Sequence, residues 1–223
     1  MMFNFKKQIV EIAQKIDSYK AKNLKLFATS SFQTHSIPLL HIISRVDNSI
    51  PVYFLDTGYH FSETLQFKEQ IAELLTLNVI NLTSPVLKEQ QRDENGQLMF
   101  RSDPENCCYI NKILPLKPIL KEKDVWINGV RNVQTENRSR MKTEERTSDV
   151  LRYHPVLKWS NKMIRDYRQR YDLPAHPLEG KGYFSVGCKP CTVPSANKNN
   201  MRSGRWQGIE KTECGLHTEL RSK

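Results

Sequence analysis

Apolar residues recur at helical spacing near the start of the chain. Phe5, Ile9, Ile12, Ala13 and Ile16 fall on one face, so residues 4–20 read as an amphipathic helix. "LKLFATS", Leu24 to Ser30, is a short apolar run ending in small hydroxyl residues, the pattern of a buried strand entering a loop. "SIPLLHIISRV" returns to helical character, with Pro38 in its early turns where proline is tolerated. "PVYFLDTG", Pro51 to Gly58, reads as a second strand. "FSETLQFKEQIAELLTL" reads as a helix with Glu63 near its positive end. "NVINL" and "DVWINGV" supply a third and a fourth strand. Ser160 is a candidate N-cap for a helix through Tyr171 that puts Met163, Tyr167 and Tyr171 on one face. Beyond Leu173 the chain is rich in Pro, Gly, Asn and Lys and reads as an irregular tail.

Strands alternating with helices imply an α/β fold, a doubly wound and mostly parallel sheet covered on both faces. The expected division is an α/β domain over residues 1–187, carrying Cys107 and Cys108, and a C-terminal segment 188–223 of the same domain. Ligands of such sheets bind beyond the carboxyl ends of the strands. Here those ends run into "TSSFQT", "DTG" and "GVRN", all polar and all expected on one rim. The glycine-rich phosphate-binding signatures are absent from the sequence. A Ser-rich loop before a helix is the remaining anion cradle, and "TSSFQTHS" fits, although an ordinary capped loop explains it as well.

Composition narrows the partner. At 223 residues the chain supports one substantial core, and 38% apolar with 26% charged residues is a globular balance. A formal charge of +10 points to a polyanionic partner: nucleic acid, an acidic surface, or a small phosphate- or sulfate-bearing substrate. The N-terminal stretch has no signal-peptide pattern and no apolar run approaches a membrane span, so a cytoplasmic protein is expected. In that compartment cysteines serve as ligands or catalysts more often than as disulfides.

The cysteine count is five, which cannot pair completely within one chain. Cys107 and Cys108 are adjacent, Cys188 and Cys191 form C-x-x-C, and Cys214 is left over. Adjacent cysteines diverge, which suits a cluster of several irons better than a single zinc ion. A [4Fe–4S] cluster is therefore favoured on spacing, with zinc and unliganded core cysteines as alternatives. Cys214 lies in "EKTECGLHTEL", too polar for core. Lys211, Arg205 and His217 could favour its thiolate, whereas Glu213 works against it.

Several stretches together resemble the phosphoadenylyl-/adenylyl-sulfate reductase family, from about Leu24 to His217. "KTECGLH" resembles the family's terminal signature, "CCYINK" its tandem cysteines, "GCKPCT" its C-x-x-C, and "LDTG" and "GVRNVQTENR" its strand ends. The resemblance implies an adenine nucleotide α-hydrolase-like fold. It implies that Cys214 attacks the sulfur of a sulfonucleotide and that thioredoxin or glutaredoxin, as a separate protein, then releases sulfite. It further implies substrate contacts from Ser30, Ser31, Phe32, Asp56, Thr57, Gly58, Lys112, Arg131, Arg202, Arg205 and His217. Members with both cysteine pairs resemble adenylyl-sulfate (APS) reductases, with the cluster on Cys107, Cys108, Cys188 and Cys191. Those with the terminal cysteine alone prefer the 3′-phosphorylated substrate (PAPS). Thr34, His35, Pro104, Asn111 and Gln207 depart from the common family pattern.

Other features have plainer readings. Asp56 is equally a strand-end turn residue, and Arg202 and Arg205 equally a solvated basic tail. Arg138, Arg140, Lys142 and Arg146, balanced by Glu136, Glu144 and Glu145, read as a solvated loop. Trp206 is expected to pack the tail against the body. A metal-stabilised nucleic-acid binder and an iron–sulfur sensor without turnover are the rivals from other classes. Neither explains the isolated terminal thiol, so no nucleic-acid or membrane partner is expected. An oligomer is compatible with the sequence.

Overall fold

The computed structural model describes residues 3–147, 149–195, 200–209, 211 and 213–217. Helix α1 (Phe5–Lys20) starts where the Asn4 side chain accepts from the Lys7 N–H at 3.1 Å, and it buries Phe5, Ile12, Ile16 and Tyr19. There follow β1 (Leu26–Thr29), α2 (Ile37–Val46), β2 (Val52–Asp56), α3 (Ser62–Leu74) and β3 (Val79–Thr83). Two short helices, α4 (Met99–Ser102) and α5 (Pro104–Cys108), lead through a π-helical turn at Tyr109–Ile113 into α6 (Leu114–Glu122). The chain continues through β4 (Val125–Asn128), α7 (Glu136–Ser139), β5 (Glu144–Arg146), β6 (Leu151–Tyr153) and α8 (Asn161–Arg170).

Among the described residues the sheet has six strands in the order β3-β2-β1-β4-β6-β5. All neighbours are parallel except β5 and β6. Ala28 stands beside Val52 on one side and Ile127 on the other. The two-residue period of a strand divides the core. Leu26, Ala28, Val125 and Ile127 face the cluster built with α1, α2 and α8. Phe27 and Trp126 face the cluster built with Leu116 and Leu120 of α6. Both faces are thus covered, as a parallel sheet requires.

The expected helices and four expected strands are present, and Ser160 does cap α8 by accepting from the Met163 N–H at 3.2 Å. β5 and β6 extend the sheet beyond that expectation. The stretch read as a solvated loop is a correction. Residues 144–146 form β5, Glu144 accepts from the Tyr19 hydroxyl at 2.5 Å, and Arg138 is buried. Arg138 sits inside because the tail supplies a carboxylate for it. After α8 the helical elements among the described residues are single 3₁₀ turns, at 179–181, 189–191 and 215–217. That segment is stitched onto the strand-end rim, with the Lys189 N–H donating to Tyr59 O at 2.7 Å. The Val186 N–H likewise donates to Gln33 Oε1 at 3.0 Å. No helix among the described residues is long and apolar enough to cross a membrane.

Candidate active site

The strand order turns back between β1 and β4. Two parallel strands whose crossovers leave in opposite directions open a crevice at their carboxyl ends. A cavity of about 310 Å³ occupies that place, lined by Thr29, Ser30 and Ser31 after β1 and by Asn128, Gly129 and Arg131 after β4. The loop after β1 is shaped by one unusual residue. Phe32 has φ +50°, a conformation costly for a bulky side chain. Its ring is fully buried against Phe54 at 5.8 Å. This anchored turn leaves Ser30 and Ser31 facing the cavity, with Ser30 Oγ accepting from the Phe32 N–H at 3.0 Å.

The tail closes the cavity. Cys214 lines it, and its Sγ lies 3.9 Å from Lys112 Nζ. Lys112 comes from the π-helical turn, where Pro115 downstream cannot donate to the Asn111 carbonyl as a regular α-helix would require. Burial pulls the Lys112 pKa down, but the Cys214, Cys188 and Cys108 sulfurs outweigh it, and the ammonium is held above its usual range. Arg205 lies over the Trp206 ring at 4.3 Å and Arg202 at 5.4 Å, so the indole packs the tail's own cations, as a tail-packing role for Trp206 requires. Gly187 lies against the Arg205 guanidinium, where a side chain would collide with it.

Glu213, which opposes a thiolate in the sequence, has a different use in the structure. Arg138 donates to its two carboxylate oxygens at 2.8 and 2.6 Å, the Thr135 hydroxyl donates at 2.9 Å, and Arg202 lies at 3.4 Å. Glu213 also accepts from the Cys214 N–H at 3.0 Å. Burial pushes its pKa up, but the bonds and charge of Arg138, with Arg202, bring it below the usual carboxylate range. Glu213 is therefore a bidentate clamp that fixes the residue next to Cys214, with its charge neutralised by guanidinium groups.

The other four cysteines, Cys107, Cys108, Cys188 and Cys191, are free and line one small cavity beside the first. Burial, then the neighbouring Cys108, Cys188 and Cys191 sulfurs, push the Cys107 thiol up to about 12. Burial also raises Cys108 and Cys191. Among the described residues no three His, Cys, Asp or Glu side chains converge on a point that would hold one metal ion. Four free, largely buried thiols around one cavity are a donor set suited to thiolate ligation of a metal centre. Polar side chains reach the sulfurs too: Thr57 Oγ1 is 3.3 Å from Cys188 Sγ, and Asn111 Nδ2 donates to Cys107 Sγ at 3.7 Å. Lys112 and Arg205 line both cavities.

Of the expected substrate residues, Ser30, Ser31, Lys112, Arg131, Arg202 and Arg205 share the larger cavity with Cys214. Phe32 is buried behind it. Asp56 and Gly58 form a turn, Asp56 Oδ1 accepting from the Gly58 N–H at 2.8 Å, and Gly58 has φ +65° with Lys88 packed against it. Thr57 lines the cysteine cavity instead. The His217 side chain lies outside the described residues. His35, Asn128, Gln134 and Arg138 also line the larger cavity and were not among the site residues expected from the sequence. His35 Nδ1 accepts from Arg131 Nη2 at 3.1 Å, and burial together with Arg131 and Arg168 pushes its pKa down to about 4. Arg131 itself is held down to about 10 by burial and then by Arg138.

Residues 25–194 match the family described as the phosphoadenosine phosphosulfate reductase domain. The chain is 37% identical over 188 residues to an adenosine 5′-phosphosulfate reductase of Chelativorans sp. (strain BNC1), covering 84% of this chain and 77% of that protein. It is 36% identical over 205 residues to a protein of the same name from Bacillus cytotoxicus, covering 91% and 88%. Among solved structures, the phosphoadenylyl-sulfate reductase of Candida auris superposes with a TM-score of 0.67 at 19% identity, over 81% of this chain and 90% of that one. The FMN adenylyltransferase of Candida glabrata superposes with 0.57 at 16% identity, over 89% and 66%. These superpositions show a shared fold. With three quarters of its length matched, the chain belongs to the phosphoadenosine phosphosulfate reductase domain family.

Proposed function

We propose that the protein reduces adenylyl sulfate (APS) to sulfite and AMP. The observation that carries this reading is the Cys214 sulfur, 3.9 Å from Lys112 Nζ in a cation-lined cavity over the strand ends and outside the small cavity that the other four cysteines line. The Cys214 thiolate attacks the sulfur of the bound nucleotide. The bond from that sulfur to the bridging oxygen breaks, AMP departs with the bond pair, and Cys214 carries a thiosulfonate. Lys112, Arg202 and Arg205 hold the sulfate and phosphate oxygens and stabilise the charge that develops on the leaving phosphate. A dithiol protein of the thioredoxin or glutaredoxin kind then attacks the Cys214 sulfur. Sulfite leaves, a mixed disulfide forms, and the second thiol of the reductant resolves it. This is nucleophilic catalysis in two steps, and the second requires the tail to open.

Cys107, Cys108, Cys188 and Cys191 would hold a [4Fe–4S] cluster. When bound, the cluster supplies a fixed negative charge that keeps Lys112 and Arg205 protonated and oriented. The tandem cysteines, the C-x-x-C and their shared cavity support APS over PAPS as substrate.

The test is intact mass of anaerobic protein mixed with APS, no reductant added. A thiosulfonate adduct is expected on wild type and absent from Cys214→Ser. Absence of the adduct in wild type, or an adduct on another cysteine, refutes the mechanism. The same assay with PAPS decides the substrate.

A further inference from the structure

Asn128 ends β4 in the wall of the larger cavity and is only 3% exposed. Its Oδ1 lies 2.7 Å from His154 Nδ1 at the end of the neighbouring strand β6. An amide oxygen cannot donate, so Nδ1 carries the hydrogen. His154 is fully buried, and its Nε2 faces Glu145 Oε2 of β5 at 3.8 Å. Glu145 is itself held by the Lys142 N–H, which donates to Oε1 at 2.9 Å. The three side chains thus form a row across adjacent strand ends.

The row commits the Asn128 oxygen and fixes the amide plane. Its Nδ2 is left buried with no hydrogen-bond partner. Buried donors are almost always paired, and an unpaired one is costly. Replacement by a side chain without this donor would remove the cost, yet the row holds the donor in place. A residue kept unsatisfied in a cavity wall is one whose partner arrives with the ligand.

We propose that Asn128 is a substrate-contacting residue whose Nδ2 donates to an acceptor atom of the bound nucleotide, and that His154 and Glu145 are positioning residues that aim it. The proposal rests on the nucleotide-binding reading above and adds a specificity contact that the charged residues do not supply. Cations favour any anion of the right size. A neutral amide locked in donor orientation selects an acceptor at one point.

AMP is the probe, because it binds without chemistry. Asn128→Asp keeps the oxygen that faces His154 and replaces the donor by an acceptor. The ligand-free variant is expected to melt within a few degrees of wild type, while its AMP dissociation constant rises about tenfold or more. Asn128→Ser removes the amide without adding charge and is expected to weaken AMP similarly. In steady state the KM for APS rises with kcat nearly unchanged, the signature of a contact made equally in ground and transition states. A folded Asn128→Asp or Asn128→Ser protein that binds AMP like wild type overturns the proposal and leaves the nucleotide reading standing. Wild-type protein that fails to bind AMP overturns both.

Discussion

The residue that decides how the tail sits is Glu213. In the sequence it is an acid beside a thiol that needs cations. In the structure it is 6% exposed and gripped by Arg138, with Thr135 and Arg202 alongside. Removing one partner of such a buried pair strands the other, at a cost of ~3 kcal/mol or more. Glu213→Gln is expected to release the tail without unfolding the body. Limited proteolysis should then cut near residue 210 sooner, and the single-turnover rate of Cys214 adduct formation should fall at least about tenfold. The pH dependence follows from the lowered pKa. A carboxyl whose folded pKa lies below its ordinary 4.5 contributes stability above that value, and the contribution is lost as pH falls through the lowered one. Tail closure should therefore be flat from neutral pH down to about 5 and weaken below the carboxylate range. Trp206 fluorescence is the readout, and Glu213→Gln should abolish the acid transition. An identical transition in that variant would assign it to another group.

At the scale of elements, legibility follows the physics of the signal. α1, α2, α3 and α8 repeat an apolar face over ten or more residues, and β1, β2 and β4 are apolar runs ended by polar loops, so the sequence shows them plainly. Residues 84–122 give no clear period. Four prolines, two tandem cysteines and a π-helical turn break the 3.6-residue repeat there. β5 and β6 are three residues each, too short for alternation to register. The site divides the same way. Cys214 was legible because counting left one thiol outside the pairs. Arg138 was hidden in a run of mixed charge whose solvated appearance was contradicted only by a carboxylate 75 positions away. His35 and Asn128 depend on partners on other strands, which no local pattern records. The tail nevertheless carries one element-level constraint that is testable by a single atom. Thr192 and Arg205 form an isolated antiparallel bridge, and a Cβ at Gly204 would collide with the Val193 carbonyl oxygen. Backbone cannot yield as a side chain does. Gly204→Ala should break this bridge, displace Arg205 and Trp206, and lower the adduct-forming rate at least about tenfold while the core melts nearly as before. Wild-type kinetics in that variant would show that the bridge does not set the Arg205 position.

The whole molecule joins two cavities through shared cations, and this coupling has a thermodynamic consequence. Lys112 and Arg205 line both the larger cavity and the cysteine cavity. Burial pulls the Arg205 pKa down while the sulfurs of Cys188, Cys214, Cys191 and Cys108 push it up, and burial wins. With a cluster bound, four thiolates and their irons face these cations as a net negative group. With the cluster removed, burial raises the Cys107, Cys108 and Cys191 thiols above their usual range, Cys107 up to about 12, so the cations lose much of that negative charge. A buried cation without a counter-charge costs several kcal/mol. For a chain of this length each kcal/mol shifts the midpoint by about 2–4 °C. Anaerobic chelation that bleaches the visible absorbance should therefore lower the melting temperature by roughly 5–10 °C. It should also weaken AMP binding, because the same cations then lose their orientation toward the nucleotide. Cys214 should remain open to alkylation throughout, since its position depends on the Glu213 clamp rather than on the cluster. Bleached protein that melts and binds AMP as before would mean that the two cavities share walls but not energy.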